Sequence, residues 1–482
     1  MKVLFYSINT MMKVPNFGSE LDVMKQHLDA GDEVFVIACQ ENLNSCLVNG
    51  QHWKSICYQC QSRFQRGMDL LHMPKDHILP FLKNVDYSLL PATFNSIKEL
   101  LQYSILGINL GEGVVASVAA VLKDHDFDTL QHRALIRQKL KMSYLVASTI
   151  QHYLETIKPE KVYLYNGRLA ETRPVMSSCI KAGVDAYAVE RAGTQGKYEL
   201  YKNASPLDID YWTQDFKRLW TENPTGKREA LGEQFYVERR HGQDQGDTSF
   251  TKKQLANFLP EDFDASKKNI GIFITSEYEL AGYPDRDNPI YTDQNAAIRQ
   301  LSDSLLSNPN IVLWVRMHPN ITFSKNTQLL ELQEMARQEI PNLKIIWPDS
   351  KVDTYALVDH VDTVLTFGST VGVEATYWGT PSVLAGRAYY EYFDVCHIAR
   401  SHDELLHLLQ NPLENKDKQG ALAYGHGLMT NGYPFQTFVQ TELHEGTFLG
   451  ESFQNETFWK RQKTYLLRKM DKLQTKKKAK NA

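Results

Sequence analysis

Cysteine is scarce, at six in 482 residues. A count that low excludes a disulfide framework and fits a reducing compartment. Cys57 and Cys60 have CxxC spacing, but no second pair and no His-x-His follows. A zinc site would lack its remaining ligands there, and partly buried free thiols are expected. Long apolar runs are missing as well. The greasiest region, Ile105 to Leu122, is broken by Asn109 and Glu112 and does not make a membrane span. The run Met1 to Ile8 is too short for a signal peptide and reads as a first strand. These absences lead us to expect a cytoplasmic protein. Nor does one sign of charge dominate: a net charge of −4 excludes the basic footprint of a dedicated nucleic-acid binder. That balance hides an asymmetry, because residues 460–482 hold ten Lys/Arg against Asp471 alone, leaving +9 there and −13 elsewhere.

What is present is a soluble globular composition, 42% apolar and 23% charged, in a chain long enough for two or three domains. One stretch, Ile311 to Gly386, sets the pattern. The apolar run Ile311 to Val315 stops at Arg316-Met317-His318-Pro319, and a helical segment (Gln328 to Glu339) and a β-rich run (Leu343 to Trp347) follow. A second core run, Val361 to Phe367, breaks at Gly368-Ser369-Thr370 into the segment Val371 to Trp378. Strand, helix, strand, helix is the signature of a parallel α/β sheet, whose ligands lie beyond the carboxyl ends of the strands. His318-Pro319 and Ser369-Thr370 both fall at such ends.

The N-terminus repeats the pattern. Lys2 to Ile8, Leu21 to Ala30 and Glu33 to Cys39 read as a βαβ unit. Residues 61–150 have helical periodicity, and within them Gly107 to Gly113 form a glycine-rich turn carrying Glu112. That turn reads equally as an anion site before a helix or as tight helix packing. Lys161 to Tyr165 ends in Asn166-Gly167-Arg168, and Asp185 to Val189 ends in Glu190-Arg191. These charged strand ends read as a lined cleft, or as a structural Arg168–Glu190 ion pair. The polar stretch 246–268 reads as a linker. The expected organisation is therefore an N-terminal Rossmann-like domain over 1–245 with its helical insertion, and a second Rossmann-like domain over 269–430. A helical, basic tail over 431–482 completes it. Two such domains facing a cleft make the α/β GT-B architecture. Asp285-Arg286-Asp287 has the DxD spacing of metal-dependent transferases, but it lies in a Pro/Gly-rich loop and is expected to be surface; no metal and no other cofactor is required.

His318-Pro319 after one strand and Ser369-Thr370 after the next resemble the paired motifs of bacterial CMP-sugar transferases, among them sialyltransferases and the Kdo transferases of capsule and O-antigen assembly. Asn166-Gly167-Arg168, Glu171-Thr172-Arg173-Pro174 and Glu190-Arg191 look like the capsule polysaccharide biosynthesis type. The resemblance spans roughly residues 105–390 as an order of motifs. It implies a glycosyltransferase taking an acidic sugar, Kdo first, from a CMP-sugar donor to a surface-polysaccharide or lipid-linked glycan acceptor.

The residues fit those roles. Ser369 and Thr370, at the start of a helix, suit a departing phosphate. His318 can donate a hydrogen bond or a proton to it. Thr275, Ser276 and Glu277 would add nucleotide contacts together with Arg316 and Pro319, and Glu374 is placed as a ribose ligand. A carboxylate must act at the anomeric carbon, as base or as nucleophile; Glu190 and Glu112 are the candidates, Asp208 and Asp210 more distant ones. The donor's own carboxylate calls for an arginine, with Arg168, Arg191 and Arg316 available and Asn166 beside the acceptor. Rival readings are a CDP-alditol phosphotransferase, a UDP-sugar transferase, a sugar-nucleotide epimerase and a non-catalytic capsule assembly or export scaffold. Phe458, Trp459, Tyr465, Leu466, Met470 and Leu473 recur at helical spacing among Lys and Arg. This reads either as a membrane-surface helix on the inner membrane or as a terminal helix packed on the body.

Overall fold

The computed structural model describes every residue except 9, 247, 320, 322–325, 453–457 and 481–482. The chain divides into two units, the first made of Met1–Val121, Asp128–Pro206 and Gly432–Ala482, the second of Leu122–Phe127 and Leu207–Asn431.

In the first unit the elements run β1 (Lys2–Ser7), α1 (Val14–Asp29), β2 (Glu33–Ala38), α2 (Lys54–Leu70), β3 (Ile78–Leu79), α3 (Ile97–Leu101), β4 (Ser104–Ile105), β5 (Ile108–Asn109), α4 (Gly111–Leu122), α5 (Arg133–Thr156), β6 (Lys161–Tyr165), α6 (Arg173–Ala182), β7 (Asp185–Arg191) and β8 (Lys197–Lys202). Five strands lie parallel in the order β3-β2-β1-β6-β7, and β8 continues the sheet antiparallel. β1 and β2 are buried from their second residue onward, so they read as continuous apolar runs and not as alternating ones.

The second unit contains α7 (Ile209–Glu222), α8 (Lys227–Arg240), β9 (Lys268–Phe273), α9 (Gln294–Leu305), β10 (Ile311–Arg316), α10 (Thr327–Arg337), β11 (Leu343–Ile346), α11 (Thr354–His360), β12 (Thr363–Thr366), α12 (Val371–Trp378), β13 (Ser382–Leu384), β14 (His397–Ile398), α13 (His402–Gln410) and α14 (Lys418–Thr430). Its six strands are all parallel, ordered β11-β10-β9-β12-β13-β14. Renumbered along the chain, that is 3-2-1-4-5-6, the order of a dinucleotide-binding Rossmann sheet. Ile270, Ile272, Leu313, Val315 and Leu365 fill one face, and Phe273, Trp314 and Val364 the other. Trp314 is buried because its indole N–H finds Asn269 Oδ1 at 2.8 Å.

The chain then returns to the first unit as β15 (Tyr433–Pro434), β16 (Phe438–Glu442), β17 (Glu445–Phe448) and α15 (Phe458–Lys480). β15 adds a seventh strand beside β8. Asp22 on α1, fully buried, accepts the N–H groups of Gln436, Thr437 and Phe438 at 3.1, 2.7 and 2.9 Å, and the Thr437 hydroxyl at 2.7 Å. Four charge-assisted bonds tie the returning segment down.

Two Rossmann-like α/β units in one chain give the GT-B class. Their limits differ from those expected. Residues 207–245 belong to the second unit because α8 packs on α14: a Cβ at Gly232 would meet Leu422 O at 2.3 Å, and Tyr236 donates to Ala421 O at 2.6 Å. The polar 246–268 segment is also bonded there, through Leu255 N to Lys351 O at 3.0 Å and Asp353 N to Phe258 O at 2.8 Å. The 431–482 tail holds three strands ahead of its helix and belongs to the first unit.

Candidate active site

In a Rossmann sheet the ligand crevice opens where the strand order reverses. In the second unit that point lies between β9 and β12, and the chain beyond these strands and beyond β10 carries Ser276, Ser369-Thr370 and His318. Ser276 Oγ and His318 Nδ1 are 3.3 Å apart, and the Phe250 ring stands edge-on to the imidazole at 5.4 Å. Burial holds His318 below its ordinary value, so the ring is neutral at pH 7 and suited to a hydrogen bond. Pro319 follows it at the end of the strand. Thr370 precedes the first turn of α12, and Val371 N bonds Ser369 Oγ at 3.4 Å. The turn is fixed from behind by Tyr390, whose hydroxyl donates to Ser369 O at 2.7 Å. Small residues make this approach possible: a Cβ at Gly372 would lie 2.3 Å from Tyr390 Oη, and one at Gly386 would lie 2.2 Å from Phe367 O.

Four more sequence candidates lie in this unit, Glu374 and Arg316 buried, Glu277 and Thr275 half-buried. Glu374 is buried and accepts from Thr370 Oγ1 at 3.0 Å, Tyr355 Oη at 2.5 Å and Arg239 Nε at 3.2 Å, so its carboxylate is engaged inside the unit. Arg316 is buried with Nη1 on Trp347 O at 3.2 Å; burial lowers its guanidinium to about 10 against the pull of Asp349 and Asp353. Glu277 accepts Gln294 N at 2.8 Å and lies 3.5 Å from His125, its carboxyl raised by burial. Thr275 is clamped through its backbone N–H by Gln294 Oε1 at 2.9 Å.

In the first unit the order reverses between β1 and β6. Glu190, at the end of β7, accepts Asn166 Nδ2 at 2.7 Å, its neighbour Arg191 N at 3.3 Å and Asn16 Nδ2 at 3.5 Å. Asn166 adopts the left-handed conformation (φ 58°), which Asn tolerates better than most residues, and this turns its amide onto the carboxylate. Burial raises Glu190, with the Asn166 bond and the Arg191 charge opposing. One helical turn beyond Asn16, Glu20 is buried on α1 and accepts Ser7 Oγ at 2.5 Å; burial pushes its carboxyl up to about 8. The sequence reading missed Glu20 because it began this helix at Leu21, whereas α1 starts at Val14 and includes both Asn16 and Glu20. Arg168 and Arg191 are half-buried beside this strand end. Glu112 stands apart, in an ion pair with Arg173. Packing explains the glycine turn, since a Cβ at Gly111 would meet Leu100 O at 1.7 Å. Asp208 is the N-cap of α7, accepting Tyr211 N at 2.9 Å, with Asp210 in that helix's first turn. Among the described residues no three His, Cys, Asp or Glu are placed to hold a metal ion.

Residues 286–407 match the family model described as capsule polysaccharide biosynthesis protein. The resemblance to capsule synthesis proteins lies there. The matched segment contains Arg316, His318, Pro319, Ser369, Thr370 and Glu374, and leaves out Ser276, Glu277 and the first-unit candidates. No curated protein matches the chain. Among solved structures, the chain is similar to the Thermosulfurimonas dismutans KpsC beta Kdo 2,4 transferase at 14% identity and TM-score 0.37, covering 55% of this chain and 79% of that one. The UDP-GlcNAc 2-epimerase of Neisseria meningitidis matches at 13% identity and TM-score 0.28, over 90% and 96% of the two chains. The glycosyltransferase SnogD of Streptomyces nogalater matches at 11% and 0.25, over 90% and 96%.

Proposed function

We propose that the chain is a capsule-type glycosyltransferase that takes an acidic sugar, Kdo first, from a CMP-activated donor. The observation that carries this reading is the 3.3 Å contact of His318 with Ser276 beyond β10 and β9, with the Ser369-Thr370 helix start following the adjacent strand β12 at the reversal point of the sheet. Most of these residues lie inside the segment matching capsule synthesis proteins. The hydroxyls and the first N–H groups of α12 stabilise the leaving phosphate, and His318 donates a hydrogen bond to it. No metal ion is assigned a role. Within the first unit, Glu190, raised by burial and hydrogen-bonded to Asn166, is the candidate for base on an acceptor hydroxyl or for nucleophile. Arg168 and Arg191 are the first-unit candidates for pairing with the sugar carboxylate. A thermal-shift panel of CMP, CDP, UDP and GDP tests the donor. A site ligand at a hundredfold excess over Kd stabilises by ~2.7 kcal/mol. Stabilisation by CMP that is lost in His318→Ala supports the assignment, whereas a shift with UDP or CDP alone refutes it.

The same reading takes a surface-polysaccharide or lipid-linked glycan as acceptor, and the chemistry of α15 suits a membrane surface. Its inward face is polar. Thr464 and Asp471 are buried, and Asp471 accepts Lys54 N and Ser55 N, both at 3.0 Å. The one acid of the basic tail therefore caps α2, whose own N-cap residue Trp53 makes no side-chain cap bond. The apolar stripe Leu466, Met470 and Leu473 is left 59%, 54% and 61% exposed, with Lys and Arg around it. The Phe458 and Trp459 side chains lie outside the described residues. An apolar stripe on a basic helix fits an anionic bilayer. No helix among the described residues is long and apolar enough to cross one. Co-sedimentation with phosphatidylglycerol vesicles but not phosphatidylcholine vesicles, abolished by Leu466→Glu with Met470→Glu, is expected. Equal binding to both vesicles, or a stripe-dependent dimer in light scattering, counts against it.

A further inference from the structure

Asp285-Arg286-Asp287 behaves differently from the expected surface loop. The short turn Pro284–Arg286 leaves both acids exposed and sends Arg286 inward, where it is 6% exposed. Its guanidinium lies over the Tyr389 ring at 4.3 Å. Nε and Nη1 are both buried and have no hydrogen-bond partner among the described residues. The other arginines nearby are matched. Arg387 is held by Glu391 at 3.0 Å, Arg239 by Glu374 at 3.2 Å, and the equally buried Arg316 by Trp347 O. Two buried guanidinium donors without an acceptor are costly, and an anion reaching them would remove that cost.

The location says what that is. The Arg286 loop follows β9 and is fastened to the chain beyond β13 by Asn288 Nδ2 on Ala385 O at 2.8 Å. Tyr389, under the guanidinium, immediately precedes Tyr390, whose hydroxyl holds Ser369 O at the start of α12. These two loops leave strands on either side of β12, whose own loop opens α12. A helix start and an unmatched guanidinium with two free donors belong to the same rim. We propose that Arg286 binds an oxyanion of the ligand at this rim, Nε and Nη1 being the donors and Tyr389 the platform that fixes the plane of the fork. The identity of the oxyanion rests on the donor reading above, which supplies two: the nucleotide phosphate and the sugar carboxylate.

The experiment compares the full chain with Arg286→Met and Arg286→Lys, by calorimetric titration with CMP, cytidine, free Kdo and inorganic phosphate and by thermal melting without ligand. The proposal expects Arg286→Met to melt no lower than the parent, because an unmatched buried charge is removed. It also expects at least a tenfold loss of affinity for CMP, or for Kdo, with cytidine unchanged. Loss with CMP assigns the phosphate, and loss with Kdo assigns the carboxylate. Arg286→Lys keeps charge but not the fork and is expected to fall between. If the parent binds neither CMP nor cytidine, the donor reading fails. The anion site then stands only if inorganic phosphate raises the melting temperature of the parent and not of Arg286→Met. Unchanged affinity in a folded Arg286→Met, a melting loss with no change in any titration, or no binding of any probe by the parent overturns the proposal.

Discussion

Replacing Glu20 by Gln tests the buried carboxyl of the first unit most directly. In the folded chain burial lifts this group from 4.5 to about 8, and the Ser7 bond only partly opposes it. Between those two values the folded protein holds a proton that the unfolded chain releases. Stability attributable to Glu20 is therefore fully present below about pH 4.5 and declines as pH rises toward 8, at about 1.4 kcal/mol per unit. At pH 7 the accumulated cost is on the order of 3 kcal/mol. Glu20→Gln keeps the shape and the acceptor for Ser7 Oγ but carries no proton to lose. The variant should match the parent near pH 4.5 and exceed it by on the order of 3 kcal/mol at pH 7. Urea unfolding of both proteins at pH 5, 6, 7 and 8 measures this, and the difference between them is the decisive quantity because every other titrating group cancels. Parallel stability curves would show that Glu20 ionises normally in the folded chain and refute the reasoning.

Glu190→Gln should retain the fold and reduce turnover with CMP-Kdo by roughly 10²–10⁴. The parent's activity should rise with pH through a value above the usual carboxylate range, and that limb should vanish in the variant. Asp471→Ala leaves Lys54 and Ser55 N–H uncapped and should cost about 1 kcal/mol in urea unfolding, with Asp471→Asn costing less. Gly386→Ala drives a methyl into Phe367 O, 2.2 Å from the ideal Cβ. It should destabilise by about 1–3 kcal/mol and weaken CMP binding in a titration, because the loop that backs α12 must move.

The sheets were legible because parallel strands buried on both faces are written as unbroken apolar runs, as in Val34 to Ala38 and Ile311 to Val315, and a helix must separate each from the next. The strand ends were legible for the same reason, since polar residues abruptly interrupt those runs at His318, Ser369 and Glu190. Glu20 was not, because the helix was expected to begin only at Leu21, whereas α1 starts at Val14 and carries Glu20 against the end of β1. Glu374 could be placed one turn past Thr370, but its donors Arg239 and Tyr355 come from distant positions that no local pattern links. The polar composition of 246–268 suggested a linker. Polarity does not show where backbone groups find partners, and here they find them at Lys351 and Asp353.

Asp22 and the segment it holds have a consequence for synthesis. The first unit begins at Met1 but takes its seventh strand, a hairpin and α15 from the other end of the chain, whereas the second unit comes largely from one continuous stretch. On the ribosome the first unit therefore cannot be completed until residues 432–482 have emerged, after all of the second unit has been made. The order of completion is the reverse of the order of translation.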